Sequence, residues 1–176
     1  TYPWHFHSEY EIIYVEKGEG DCLVGDSIIS YSKGDLILFG SELPHSMQSP
    51  PDGGGESDNE EKSEPKVRGV NIQFEKDFMH YSISQYSQFI PIRNLLEDAC
   101  RGIKFTITRS GKIIKLLEQI PSAKGADQII LLLSLLQMMA TSNHKKYLTT
   151  SHYTPSPSIM RNERMEKVIA YLNKHY

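Results

Sequence analysis

Several things are scarce in this sequence, and each scarcity excludes something. Two cysteines, Cys22 and Cys100, stand far apart in 176 residues. They make neither a disulfide framework nor a zinc ribbon, and two reduced structural thiols is the simpler reading. Long apolar runs are missing: the longest, Ile129 to Leu133, breaks at Ser134. Even extended to Ala140 it is too short to span a bilayer, so no membrane association is expected. The first residues, Thr1-Tyr2-Pro3-Trp4-His5, show neither a basic stretch nor an apolar core of the secretory kind. With no Met at position 1, the expectation is a trimmed piece of a longer cytoplasmic protein. Charge of one sign is not dominant either, the net being −3.

That small net charge conceals an asymmetry. Residues 1–66 hold 4 basic and 14 acidic groups, whereas 67–176 hold 15 basic and 8 acidic. Six of the acids crowd the segment 50–66, which also contains Pro50-Pro51 and Gly53-Gly54-Gly55. With almost nothing apolar to bury, 50–66 is expected to be a flexible insert between strands. Charge alone favours two ordinary solvated surfaces; the sharper alternative is an acidic sensing half joined to a basic half nearer to nucleic acid.

The hydrophobic pattern changes period along the chain. From Glu11 to Phe39 it is strand-like. Glu11-Ile12-Ile13-Tyr14-Val15, Cys22-Leu23-Val24, Ser27-Ile28-Ile29-Ser30 and Leu36-Ile37-Leu38-Phe39 are short and rich in β-branched or aromatic residues. Gly25-Asp26 fits a tight hairpin turn, and Lys33-Gly34-Asp35 a second turn. Val67 to Phe74 predicts one more strand, with Val70, Ile72 and Phe74 on one face. Short strands at this spacing predict an antiparallel barrel or sandwich. Helical periodicity follows. Ile92, Leu95, Leu96, Ala99 and Ile103 form one stripe after Pro91. Ser110 is placed to cap a second helix, with Ile113, Ile114, Leu117 and Ile120 inward. Residues 126–142 form a third, apolar almost all round. Ile129, Leu132, Leu133, Leu136 and Met139 on that helix are candidates for a homodimer surface. A Pro/Ser linker at 151–158 precedes a last amphipathic stripe of Met165, Val168, Ile169 and Leu172.

The most informative residues lie near the start. His5 and His7 would share a face of a strand, Glu11 has the same parity, and His45 follows Pro44. Three imidazoles and a carboxylate make a first shell for Zn, Ni, Mn or Fe. One condition applies. On a straight strand His5 and Glu11 would lie about 20 Å apart, six steps of about 3.3 Å, so Ser8-Glu9-Tyr10 must bend the chain. Two other roles stand beside ligation: the lining of an effector pocket, with Ile13 added, or polar residues that satisfy one another in a half-buried cavity. Trp4, Tyr10 and Tyr14 are either ligand-site lining or core. His80, His144, His152 and His175 fit no ligand spacing and are read as surface or linker residues.

The pattern resembles a known family. His5-x-His7, three residues, Glu11, six residues, Gly18 matches the first motif of the cupin superfamily. Gly34 and His45 match the looser second motif, whose Pro, second Gly and Asn are absent here. Val24-Gly25-Asp26-Ser27-Ile28, Gly34-Asp35-Leu36-Ile37-Leu38 and Leu43-Pro44-His45-Ser46 are similar to the cupin sensor domains of AraC-type bacterial transcription regulators. Arg101-Gly102-Ile103-Lys104-Phe105 and the segment 164–176 add to the likeness.

The resemblance implies a mainly β fold with α: a cupin-type, jelly-roll-like antiparallel β-barrel followed by a helical dimerisation region. The barrel would occupy 1–76, the helical region 77–150, the linker 151–158. The first helix of a truncated helix-turn-helix DNA-binding domain would occupy 159–176. It implies an effector-sensing, non-enzymatic homodimer that binds a small molecule, a sugar among the candidates, through His5, His7, Glu11, Ile13 and His45. A divalent metal on His5, His7, Glu11 and His45 is a further option, and DNA would be reached only through the missing C-terminal domain. A metal-dependent cupin enzyme, of dioxygenase or sugar isomerase type, is the alternative. A carbohydrate-binding module ranks last, because Trp4 is the only tryptophan.

Overall fold

The computed structural model describes residues 2–49, 67–107 and 111–154. The insert 50–66, the cap at Ser110 and the C-terminal helix expected within 159–176 lie outside them. Seven strands come first: β1 (Tyr2–His5), β2 (Tyr10–Lys17), β3 (Glu19–Val24), β4 (Ser27–Ser32), β5 (Asp35–Phe39), β6 (His45–Gln48) and β7 (Arg68–Phe74). Then follow α1 (His80–Gln85), α2 (Ile90–Asp98), β8 (Ile103–Thr106), α3 (Gly111–Gln119), α4 (Ala126–Ala140) and β9 (Lys145–Tyr147). One sheet runs β1-β6-β3-β4 and the other β7-β2-β5-β8-β9, with every pairing antiparallel. The β-rich, jelly-roll-like class predicted from the sequence is the fold adopted. Among the described residues, however, the sheets pack as two layers and do not close into one hydrogen-bonded barrel.

The second sheet is the middle of three layers, which explains its sequence. All five residues of β5 are buried. Leu36 and Leu38 join a core shared with α2 and α4, whereas Ile37 and Phe39 join the core between the sheets. A strand covered on both faces reads as a continuous apolar run. β2 is divided the same way, with Ile12 and Tyr14 toward the helices and Ile13 and Val15 toward the other sheet. By parity Glu11 faces between the sheets, so the pleat itself aims a carboxylate into the gap.

Two expectations change. The stripe from Ile92 to Ile103 is not one helix. α2 ends at Asp98, a short 3-10 turn follows, and Gly102 turns the chain at φ 62°. Ile103 then begins β8, paired with β5. The stretch 77–150, expected to be helical, therefore supplies two strands as well. On α4, Leu132, Leu136 and Met139 are buried in the intramolecular core and cannot form a dimer surface. Ile129 and Ile130 are exposed and Leu133 is half-buried. Tyr10 and Tyr14 pack on the helical side, away from the gap between the sheets.

Candidate functional site

His5, His7, Glu11 and His45 come together. Each offers one donor atom, and these four atoms lie within 4.8 Å of one another. Sheet pairing does most of the work: β1 and β6 run side by side with His5 opposite His45, while Glu11 comes from the facing sheet. The bend that ligation demands is present where the sequence places it, at Ser8 and Glu9. β1 ends at His5, His7 lies in the connection to β2, and β2 begins at Tyr10. His7 stands just beyond the end of β1, its ring 5.5 Å from that of His5, and the bend that follows brings Glu11 back toward both.

The three rings are oriented by their own backbone. Nδ1 of His5 donates to Pro3 O at 2.7 Å, Nδ1 of His7 to Glu9 O at 3.2 Å, and Nδ1 of His45 to Leu43 O at 2.8 Å. A carbonyl oxygen only accepts, so each Nδ1 carries the proton and each Nε2 is left for the site. Carbonyl partners of this kind fix the tautomer and orientation of metal-binding histidines. His45 is held hardest: Phe39 stacks on one ring face at 4.1 Å and 8°, and the His5 ring lies 4.4 Å away. Burial, partly offset by the Pro3 carbonyl and Glu11, pushes the His5 imidazole below its usual range, toward the neutral form.

Glu11 is buried at 3% exposure, and its two oxygens are divided. Oε2 lies 2.7 Å from His45 Nε2 and 3.4 Å from His7 Nε2. Oε1 accepts from Asn71 Nδ2 at 2.5 Å and Gln73 Nε2 at 3.2 Å. Burial alone would raise this carboxyl, but the hydrogen bond and charge of His45, with the two amides, bring it to about 2. The 2.7 Å approach of two lone-pair-bearing atoms needs a proton or a metal cation between them. The donor set, three imidazole nitrogens and one carboxylate oxygen, fits a first-row divalent ion.

Asn71 and Gln73 were missed from the sequence. Their signal was present: placing Val70, Ile72 and Phe74 on one face puts 71 and 73 on the other, toward Glu11. Both are exposed on β7, which is the last strand of its sheet among the described residues. Ile13 is half-buried beside Val15 in the core between the sheets, paired with Ile37 and Asn71. His80, His144 and His152 are exposed and apart from the cluster, as expected. His175 lies outside the described residues.

Residues 1–58 match the family model described as AraC-like ligand binding domain. That segment contains all four clustered residues. The resemblance to the N-terminal effector-binding domain of AraC-type regulators is borne out by this match. No curated protein matches the chain. Two solved structures of ToxT from Vibrio cholerae are similar. One, an apo variant, is 14% identical, with 97% of this chain and 59% of that one covered at a TM-score of 0.48. The other, wild type with bound unsaturated fatty acid, is 16% identical, with 99% and 65% covered at 0.44. The chain thus spans about three fifths of the length of these neighbours.

Proposed function

We propose that this chain is the effector-sensing part of an AraC-type transcription regulator, and that its effector binds at the mouth beside β7. The observation that carries this reading is the convergence of three oriented imidazoles and one ionised carboxylate beside the exposed amides of Asn71 and Gln73. The family match over residues 1–58 supports it. His5, His7, Glu11 and His45 would hold a divalent ion, which supplies a Lewis-acidic anchor for oxygen atoms of a small molecule. Asn71 and Gln73 keep Glu11 Oε1 engaged, leaving Oε2 for the site. Their exposed amides, with the His7 edge, form the rim that an oxygen-rich effector, such as a sugar or hydroxy acid, meets first. Ile13 lies deeper and bounds the pocket below the polar rim.

The remaining assignments belong to the same proposal. The exposed apolar side chains of α4, Ile129 and Ile130 with half-buried Leu133, form a homodimer surface. Residues 151–158 are the linker and 159–176 the start of a DNA-binding domain. No helix among the described residues is long and apolar enough to cross a membrane, and the setting proposed is cytoplasmic. A metal-dependent cupin enzyme is the second reading, favoured by the complete donor set. A thermal-shift screen of sugars and hydroxy acids with Ni²⁺ present tests the sensor. One chemical class should raise Tm, the rise should vanish in His45→Ala, and the ligand should be recovered unchanged. Consumption of the ligand would favour the enzyme, and no shift from any class would reject the effector assignment.

A further inference from the structure

The segment 147–154 leads from the last strand into the C-terminal residues. It does not hang free. Leu148 N donates to Gly102 O at 2.9 Å and Thr149 N to Arg101 O at 3.1 Å. Leu148 is buried in the same inter-sheet core as Leu43. Thr150 then clasps the tip of the β3–β4 hairpin: its N–H donates to Asp26 Oδ1 at 3.0 Å, and its hydroxyl donates to Asp26 Oδ2. Gly25 shows how close the approach is. A Cβ there would sit 2.7 Å from Thr149 Cγ2 and 2.8 Å from the Tyr153 ring, and the φ of +53° also favours glycine.

The same hairpin tip touches the loop that aims His45. Gly25 N donates to Pro44 O at 2.9 Å. Residues 40–44 of that loop are gripped by the site from the other side. His45 Nδ1 donates to Leu43 O, and Glu42 N donates to His7 O at 2.8 Å. Glu42 is held at φ +62°, a conformation that a non-glycine residue keeps only when its surroundings impose it. The loop therefore holds the histidines on one side and, on the other, the hairpin tip that clasps the exit segment.

We infer that the 40–44 loop, Asp26 and Thr150 form a latch through which the state of the histidine site sets whether the exit segment 148–153 is docked on the sensor. This rests on the sensor reading and extends it, since it names the positioning residues that carry the signal. Movement of His45 toward a ligand pulls on Leu43 O and Pro44 O. The hairpin tip and Thr150 follow, and the docking of the chain leading to residues 155–176 changes. Coupling between two sites is reciprocal, so loosening the latch must also weaken the site.

Two arms test this on the 176-residue chain. In hydrogen exchange, His45→Ala removes the donor to Leu43 O and should speed exchange at the Thr150 and Tyr153 amides at least tenfold. His45→Asn, whose amide replaces that donor, should keep them protected. In the second arm Zn²⁺ is titrated against the fluorescence of Trp4, next to His5. Asp26→Ala, an exposed change outside the site, should weaken Zn²⁺ at least fivefold, the lower end of ordinary coupling. Unchanged exchange in His45→Ala together with equal Zn²⁺ affinity in Asp26→Ala overturns the latch and leaves the sensor reading standing. Absence of any Zn²⁺ response in the unmutated chain rejects the site reading, and the exchange arm then decides the latch. If His45→Ala loses protection across β2 and β5 as well, Asp26→Ala decides it.

Discussion

His45 shows how much a single side chain can be constrained by ordinary contacts. A carbonyl takes one nitrogen, a carboxylate approaches the other, Phe39 stacks on the ring and the tilted His5 ring lies beside it. Its partner Glu11 carries the pH dependence. The folded-state value is about 2 against an ordinary 4.5, so the carboxylate stabilises the fold fully above 4.5 and progressively less as pH falls toward 2. In chelator-containing buffer, the urea midpoint should fall between about pH 5 and pH 2, and more steeply than in Glu11→Gln. Equal slopes would mean that Glu11 is not held ionised by its neighbours. Cys22 makes a contrasting case. Burial, reinforced by Glu11, pushes its thiol up to about 12, and it has no exposed surface. It should resist alkylation by iodoacetamide in the native chain at pH 8 and react only on unfolding. Rapid native labelling of Cys22 would show that the inter-sheet core opens.

Among the elements, β5 and α4 ask different things of their apolar residues. Leu38 is fully buried in the middle layer, whereas Ile28 on β4 is 71% exposed. Leu38→Ala should cost about 2–5 kcal/mol in chemical unfolding, and Ile28→Ala no more than about 0.5 kcal/mol. Comparable losses would contradict the three-layer arrangement. On α4, Ile130 is 57% exposed. If this helix makes the dimer, light scattering should give a dimer for the unmutated chain and a monomer for Ile130→Lys, with Tm little changed. A monomeric unmutated chain would remove the dimer proposal. Elements were legible where one period dominated. The hairpin at Gly25-Asp26 and the long α4 follow directly from pattern. β8 was not legible, because Ile103 happens to continue the i, i+3, i+4 spacing of α2. Only Gly102, with its positive φ, tells the two apart. Asn71 and Gln73 were hidden for a related reason: alternating polar residues look the same whether they face bulk water or an open polar mouth.

At the scale of the whole molecule, two sheets and a helical layer bring residues from three separate stretches of chain to one point. The ligand types and their spacing were legible because they follow a motif. Their convergence was not, since it depends on β1 pairing with β6 and on the sheet-to-sheet packing that faces Glu11 toward them. The same packing ties the site to the exit of the chain through the 40–44 loop. All of this turns on one claim: that His5, His7, Glu11 and His45 act together as a binding site. Native mass spectrometry with elemental analysis of the chain, loaded with Ni²⁺ or Zn²⁺ and desalted, tests that claim directly. One ion per chain is expected, lost in the Glu11→Gln, His45→Ala double variant while the fold persists. An unmutated chain that retains no ion, or a double variant that retains it equally, would contradict it.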